Sequence, residues 1–327
     1  MNAIVISAPG GPDVLQLAEV PDPSAAPGEV LVHVHATAVN RADLMQRAGH
    51  YPPPPGASEI LGLECAGEVV AIGAGTDTDL TCGDRVMCLL AGGGYAEMAA
   101  VPVGQVMRVP DNLDWCEAAA IPEVFLTAWV ALVTLGHGAP GDVALVHSIA
   151  SGVGTAAAQL CAALGIRCIG TSRSPDRADA GAPWRAEGIA VGDTGFAGAV
   201  RAMTDGHGAD IIVDLVGAKY LAGNVECLAR TGRLILTGLV GGRKGELDLG
   251  ALLALQGRVI GTTLRGRTVD EKAQIVGAFA EWALPRFAHG PLAPVIHGVL
   301  PLADAAEAHR IVGSDEAVGK VVLLVHP

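Results

Sequence analysis

The 327-residue sequence predicts an α/β chain that joins a β-rich, barrel-like part to a doubly wound parallel sheet. Three observations predict it. Residues 1–120 read as many short strands punctuated by Gly and Pro, the pattern of a compact barrel. After Asp114 the period changes, and apolar strands alternate with helical segments, the mark of a parallel sheet covered on both faces. From Asp270 the chain returns to a helix and short strands, too little for a third domain. That tail is expected to complete the first part, with the doubly wound unit inserted between. The expected boundaries are 1–122, 123–267 and 268–327. The length also favours two cores, because single cores stop growing at roughly 250–300 residues.

The elements follow in order. Met1–Ser7 reads as a strand turned by the Gly-Gly-Pro at 10–12. Glu29–Ala38 (EVLVHVHATA) alternates apolar and polar residues, as a half-buried strand does. Asn40–Gly49 reads as a short helix. Pro52–Pro55 must be extended, since each ring fixes φ and bars the preceding residue from helix. Leu63–Ile72, Asp84–Leu90 and Tyr95–Val101 are further strands. Glu117–Leu135 is helical, broken at Pro122. Val143–His147 is a buried strand and Gly152–Leu164 a helix. Arg167–Thr171, Asp210–Leu215, Arg233–Thr237 and Arg258–Thr263 are strands. Asp270–Pro285 is an amphipathic helix. Val295–Leu300, a short helix at Leu302–Val312 and a strand at Lys320–Val325 finish the chain.

Composition excludes some partners. A net charge of −13 with no basic run argues against nucleic acid, which needs clustered Lys and Arg. The seven cysteines form no CxxC pair, so buried reduced thiols and a cytoplasmic location are expected. The start, MNAIVISAPGGPDVL, has no basic stretch leading into a long apolar run, and no signal peptide is read. No apolar stretch of about 18 or more residues lacks Gly, Pro or charge, so no membrane span is expected.

The strongest local signal is Val143–Leu164 (VALVHSIASGVGTAAAQLCAAL). A buried strand runs into a small-residue turn, and a helix begins at the glycines. Phosphates approach backbone N–H groups where side chains are absent, and a helix N-terminus adds partial positive charge. Ser151, Gly152, Val153 and Gly154 supply such an opening, with Ala156–Ala158 letting the helix pack closely on the sheet. The flanking strand and helix give the turn the context of a dinucleotide site. The alternatives are a structural turn, with Ser151 only a helix cap. NAD enzymes carry an acid at the end of the second strand for the ribose hydroxyl. Here Thr171-Ser172-Arg173-Ser174 stands there. No carboxylate repels a 2′-phosphate, and Arg173, with Arg177 nearby, can pair with one. NADPH is therefore expected over NADH, unless Arg173 is only a solvated surface residue.

Several segments resemble the zeta-crystallin-like quinone oxidoreductases of the medium-chain dehydrogenase/reductase superfamily. They are Asn40–Arg47 (NRADLMQR), Tyr51–Gly56 (YPPPPG), Leu61–Glu64 (LGLE), Ala91–Glu97 (AGGGYAE), Ala118–Glu123 (AAAIPE), Leu264-Arg265 and Gly319–Leu323 (GKVVL). They recur in order over nearly the whole chain. The resemblance implies a discontinuous GroES-like barrel domain with a Rossmann domain inserted. It implies NADPH-linked reduction of a quinone or other conjugated carbonyl by a homodimer. Residue by residue, it gives Asn40 and Tyr51 to the nicotinamide and substrate cleft, and Thr127 to the nicotinamide amide. It gives Ser151, Gly152, Val153 and Gly154 to the pyrophosphate. Gly217, Gly238 and Leu239 match backbone positions at later strand ends, Leu264 and Arg265 a pair beside the cofactor, and Lys320 a terminal lysine near the cleft.

Two departures stand out. Ser148 and Ile149 replace the Gly or Ala usual after the strand histidine, and a β-branched Ile there has few rotamers. An Asn-Tyr pair that flanks the adenine end is missing from Ala190–Gly195, and Pro183 interrupts the preceding helix. Zinc relatives carry a Cys after the first strand and a His-Glu pair on the next segment. Arg41-Ala42-Asp43 and Leu63-Glu64 have neither, so no metal is expected. Ser151 lies in no GxSxG elbow, which argues against a serine nucleophile. The expected chemistry is hydride transfer to a conjugated carbonyl, with the Tyr51 hydroxyl as oxyanion or proton donor, or else merely packed on the proline run. An enoyl reductase of a polyketide-like pathway is the alternative enzyme, and a non-redox member with a decayed nucleotide site the alternative of another class.

Overall fold

The computed structural model describes residues 1–192 and 195–325, so Asp193 and Thr194, in the segment that lacks the Asn-Tyr pair, lie outside the described residues. Contacts divide the chain into Met1–Leu126 with Leu264–Pro327, and Thr127–Thr263, against boundaries expected at 122/123 and 267/268.

The first unit starts with β1 (Asn2–Ile6) and β2 (Leu15–Glu19), an antiparallel pair. Then come β3 (Glu29–Ala38), α1 (Arg41–Arg47), β4 (Glu64–Ile72), β5 (Arg85–Leu89), β6 (Met98–Pro102), β7 (Val106–Arg108), α2 (Trp115–Ala119) and α3 (Pro122–Trp129), whose last three residues fall past the division at Leu126. The second unit carries β8 (Val143–Val146), α4 (Gly152–Leu164), β9 (Arg167–Ser172), α5 (Pro175–Ala178), β10 (Glu187–Ala190), α6 (Ala197–Met203), β11 (Ala209–Asp214), α7 (Leu221–Cys227), β12 (Leu228–Leu236), α8 (Leu249–Leu255) and β13 (Arg258–Gly261). The tail of the first unit adds α9 (Val269–His289), β14 (Ile296–Pro301), α10 (Ala305–Gly313) and β15 (Lys320–Leu324).

In the first unit, seven strands form one sheet in the order β14-β15-β3-β4-β5-β7, with β6 also on β3. β3 organises it. Its alternation buries Val30, Val32, Val34 and Ala36 completely, and it pairs with β4, with β6 through Glu29–His33, and with β15 through Ala36–Ala38. The tail strand β15 thus lies beside the carboxyl end of β3, where Asn40 begins α1.

Three expectations need correction. The strand expected from Tyr95 begins only at Met98, because the Tyr95 N–H bonds the Leu61 carbonyl (2.9 Å) and its ring is wholly buried. β2, β7 and β10 were not anticipated; LQLAE of β2, for one, has no fully buried residue. α9 runs through Pro285 to His289. A proline inside a helix loses one ladder bond. Here the turn beyond it is held by the buried Phe287, edge-on to Phe125 at 5.0 Å, and by the Arg286 guanidinium, which bonds the Trp282 carbonyl.

In the second unit six parallel strands run in the order β10-β9-β8-β11-β12-β13. β8 (VALV) is buried throughout, as a strand covered on both faces must be. The chain winds outward from β8 on one side and resumes at β11 on the other. The carboxyl end of β8 is therefore the topological switch point, where open α/β sheets form ligand crevices.

Ile149 follows that end and is wholly buried. Its side chain fills the space beside Gly170 of β9. A Cβ built on Gly170 would meet Ile149 side-chain carbons at 2.5–2.9 Å, and one on Gly181 would meet them at 3.1 Å. The Ile therefore turns into the core, in room left by two glycines. Ser148 absorbs the backbone turn, in the left-handed region at φ +55°. Ile149→Ala should cost about 2–5 kcal/mol, and Gly170→Ala should also destabilise through overpacking. In the Ile149→Ala background the Gly170→Ala penalty should shrink. Urea unfolding of the four proteins measures this cycle, and simple additivity would contradict the packing argument.

Candidate functional site

In the second unit the turn after β8 caps α4. The Ser151 Oγ accepts the Gly154 N–H at 3.1 Å, and the other first-turn N–H groups have no intrahelical partner by the geometry of a helix. Gly154 has a packing reason to be glycine. A Cβ there would lie 2.3 Å from the Ser148 carbonyl oxygen and 2.5 Å from that of Ile149. Gly152 and Val153 are half-buried at the mouth of the turn. With Ile149 turned inward, this helix start fits a pyrophosphate.

A buried chain of hydrogen bonds fixes the strand ends around the turn. Asp214 Oδ1 accepts the Val216 and Gly217 N–H groups at 2.6 and 2.9 Å, and its Oδ2 accepts Asn224 Nδ2 at 2.9 Å. The Asn224 amide oxygen therefore faces His147 Nε2, at 2.6 Å. The ring must donate there. Burial holds His147 down to about 4 and keeps it neutral, so its Nδ1 accepts from the Thr171 hydroxyl at 2.8 Å. The Gly238 N–H bonds the Asp214 carbonyl at 3.1 Å. One network thus ties the ends of β8, β9, β11 and β12. The sequence reading missed His147, Asn224 and Asp214, which stand alone with no motif around them.

Gly217 has φ +84°, where glycine is favoured, and Leu239 is 45% exposed. Thr127 is half-buried on α3. Arg173 is exposed just past β9, and its charge bears on the Tyr220 hydroxyl, which burial raises. Tyr220 packs on His147 and Phe196 at ring distances of 4.8 and 5.0 Å.

In the first unit the structure brings together Asn40 and Lys320. The Lys320 ammonium bonds the Val39 carbonyl (2.8 Å), Asn40 Oδ1 (2.6 Å) and Glu64 Oε1 (2.7 Å). Asn40 Nδ2 donates to the same Glu64 oxygen at 2.9 Å, and the Glu123 N–H binds the other at 2.8 Å. Asp43 accepts from the Asn40 and Gly62 N–H groups (2.8 and 3.2 Å) and from the Tyr95 hydroxyl (3.2 Å), while burial pushes it up to about 6. The chain continues through His309 to Arg47, each step 3.1 Å.

Tyr51 and Arg265 form a second group. Arg265 is 3% exposed and donates to the Ala91 carbonyl (2.7 Å), the Gln46 side chain (2.7 Å) and the Tyr51 carbonyl (3.4 Å). Its guanidinium lies 5.3 Å from the Tyr51 ring centre. Arg265 thereby holds the Tyr51 segment, and Leu264 beside it is buried. Burial raises the Tyr51 hydroxyl, which stays protonated at neutral pH. Glu64 and Glu123 stood inside resembling segments without an assigned part. The signal was there: two carboxylates in otherwise apolar stretches, Glu64 between Leu63 and Cys65 and Glu123 after Pro122. Among the described residues no group of three or more His, Cys, Asp and Glu could hold a metal ion, and no helix is long and apolar enough to cross a membrane.

His309 gives a test of this network. Burial first, and the Arg47 charge second, hold it down to about 3. An unfolded His takes its proton near 6.5. The unfolded state therefore binds more protons as pH falls below that value, and stability drops from there toward about pH 3. The stability lead of the wild-type chain over His309→Gln should hold constant above pH 7 and shrink steadily at pH 6 and 5 in urea unfolding. A lead that grows on acidification would mean a charged His309.

Residues 26–111 match the family model for the alcohol dehydrogenase GroES-like domain, and 152–281 that for zinc-binding dehydrogenase. The chain is 30% identical to quinone oxidoreductase of Rattus norvegicus over 99% of its own length and 98% of the relative's. It is 33% identical over 92% of its length to a polyketide synthase of Streptomyces halstedii, of which it spans 5%. Among solved structures, an NAD-dependent alcohol dehydrogenase superposes with TM-score 0.86 at 33% identity over 100% of both chains. A mycobacterial protein complexed with NADPH superposes with TM-score 0.89 at 30% identity, over 99% of this chain and 100% of that one. With both halves of the fold matched and a full-length relative at that identity, the chain belongs to the quinone oxidoreductase family of the medium-chain dehydrogenase/reductase superfamily.

Proposed function

We propose that this oxidoreductase uses NADPH to pass a hydride to a quinone or other conjugated carbonyl, without a metal. The observation that carries the cofactor choice is the end of β9. Thr171 and Ser172 are buried, Arg173 is exposed beyond them, and no carboxylate stands where a ribose hydroxyl would need one. In this reading Ser151, Gly152, Val153 and Gly154 hold the pyrophosphate and Arg173 the 2′-phosphate. Thr127, Gly217, Gly238, Leu239 and Leu264 line the remainder of the cofactor. When bound, the cofactor supplies the hydride from its nicotinamide ring.

The chain's own part is to align and to stabilise. Negative charge develops on the carbonyl oxygen, and the neutral Tyr51 hydroxyl is a donor for it. Arg265 keeps Tyr51 in position through its backbone, and Asn40 and Lys320 hold the adjoining wall. Asn40–Gln46 and Leu61–Glu64 contain no Cys or His, which supports chemistry without zinc. A second reading, reduction of an enoyl group in a polyketide-like pathway, is favoured by the 33% identity to the polyketide synthase. The two differ in acceptor, and rates on a quinone series against a 2-enoyl thioester separate them.

We also infer a homodimer through the edge of the second unit's sheet. Among the described residues β13 has a neighbour on one side only, and α8, the helix before it, leaves Leu249 and Leu253 69% and 79% exposed. An open edge beside exposed apolar side chains suits a second copy. The free cysteines suit a reducing cytoplasm.

Arg173→Ala should weaken NADPH binding about 10-fold or more and NADH little, as expected for loss of a charge-assisted phosphate contact. Fluorescence titration of both cofactors reads this, and equal losses would refute the assignment. Turnover should survive exhaustive chelation, with elemental analysis finding no stoichiometric zinc. Leu253→Glu should shift the mass seen by light scattering from dimer to monomer, and a wild-type monomer would overturn the interface.

A further inference from the structure

Glu123 is the second residue of α3, after Pro122, and its two ends have different fates. Its backbone N–H is committed to Glu64 Oε2. Its side-chain Oε2 is buried and has no hydrogen-bond partner in the structure. Buried polar oxygens without partners are rare, and each calls for an explanation. The cation nearest in chemistry does not supply one, because the Lys320 ammonium is taken by Glu64, Asn40 and the Val39 carbonyl. Lys272 of α9 is 4% exposed, and its charge acts on Glu123 without a hydrogen bond to that oxygen.

We propose that Glu123 is a second donor of the reduction site, its carboxylic acid bonding the substrate's carbonyl oxygen and giving that oxygen its proton. This rests on the reading of the chain as a carbonyl-reducing enzyme. The surroundings keep the acid neutral. Burial acts first, then the like charges of Glu64 and Asp43, against the opposing Lys320 and Lys272, and together they push Glu123 up to about 8. Its backbone N–H binds Glu64, which also holds Asn40 and Lys320, so the acid stands beside that cluster. A protonated carboxyl has one O–H to donate, and no protein group partners the buried oxygen.

The step balances. The hydride brings two electrons and forms a C–H bond at the electron-poor carbon, while a π pair moves onto oxygen. The Glu123 O–H bond breaks as that oxygen takes the proton. Glu123 is left as a carboxylate and is restored by a proton from water. The reductant is the reduced nicotinamide of the proposed function.

Glu123→Gln tests this with little risk to folding, since the amide copies the neutral acid and keeps a donor but has no proton to give. Infrared difference spectra of the cofactor-free protein should show a protonated-carboxyl band that is absent in Glu123→Gln and disappears as pH rises through about 8. Adding a quinone should shift that band. In turnover of an α,β-unsaturated ketone, kcat should fall about 100-fold with KM little changed, and the alkaline limb of the wild-type pH profile should vanish. If the wild-type protein reduces conjugated carbonyls and Glu123→Gln matches it with an unchanged pH profile, the proposal is overturned while the function stands. If the wild-type protein reduces none, the function fails, and the band shift with quinone decides the donor alone. No carboxyl band, or no shift, overturns it.

Discussion

The buried ion pair between Glu64 and Lys320 is the constraint on which the first unit depends. Both residues are almost wholly out of water, at 0% and 4% side-chain exposure, and 2.7 Å apart. A charge so placed is tolerated only when paired and hydrogen-bonded, and removing one partner of such a pair typically costs about 3–5 kcal/mol. Here the bonds are complete. Glu64 takes Lys320, Asn40 and the Glu123 N–H, and Lys320 adds the Val39 carbonyl. The pair therefore locks β15, from the end of the chain, onto β4 and onto the start of α1 and α3. The pairing of β15 with Ala36–Ala38 brings the lysine there, and the ion pair favours that register.

Legibility in the sequence divides along the same line. β3 and α4 begin and end where the periodicity and the glycines predict, because a 10-residue alternation and a 13-residue small-residue helix are local patterns. The turn at Ser151 was equally legible, since its cap is three residues long. The polar networks were not. Asn40 meets Glu64 across 24 residues and Lys320 across 280, and nothing in either neighbourhood names the partner. His147, Asn224 and Asp214 are similar: single polar residues whose meaning comes only from strands brought side by side. Pro285 misled for a related reason. Its local rule predicts an end to α9, and the packing of Phe287 outweighs the rule.

Ile149 shows how a local anomaly is resolved at a distance. Read alone, a β-branched side chain on a phosphate turn obstructs. In the fold it points away from the turn, because β9 carries Gly170 opposite and Gly181 leaves further room. Ser148 takes the left-handed conformation that reverses the chain, and the His147 hydrogen-bond chain holds the strand ends rigid beneath it. The volume given up by two glycines is what the isoleucine occupies.

The Glu64–Lys320 pair also sets the chemistry of its surroundings. The positive charge of an unpaired lysine ammonium in that wall would favour the ionised form of any nearby carboxyl. Closed on Glu64, the lysine offers Glu123 only a partly cancelled field, while Glu64 and Asp43 repel a third negative charge. Burial then decides, and it favours the neutral acid. Burial likewise keeps the Tyr51 hydroxyl protonated, against the opposing charge of Arg265. The wall therefore holds two neutral donors over a charge pair already satisfied. That is the electrostatic arrangement suited to an oxygen that arrives neutral and becomes negative only as it is reduced.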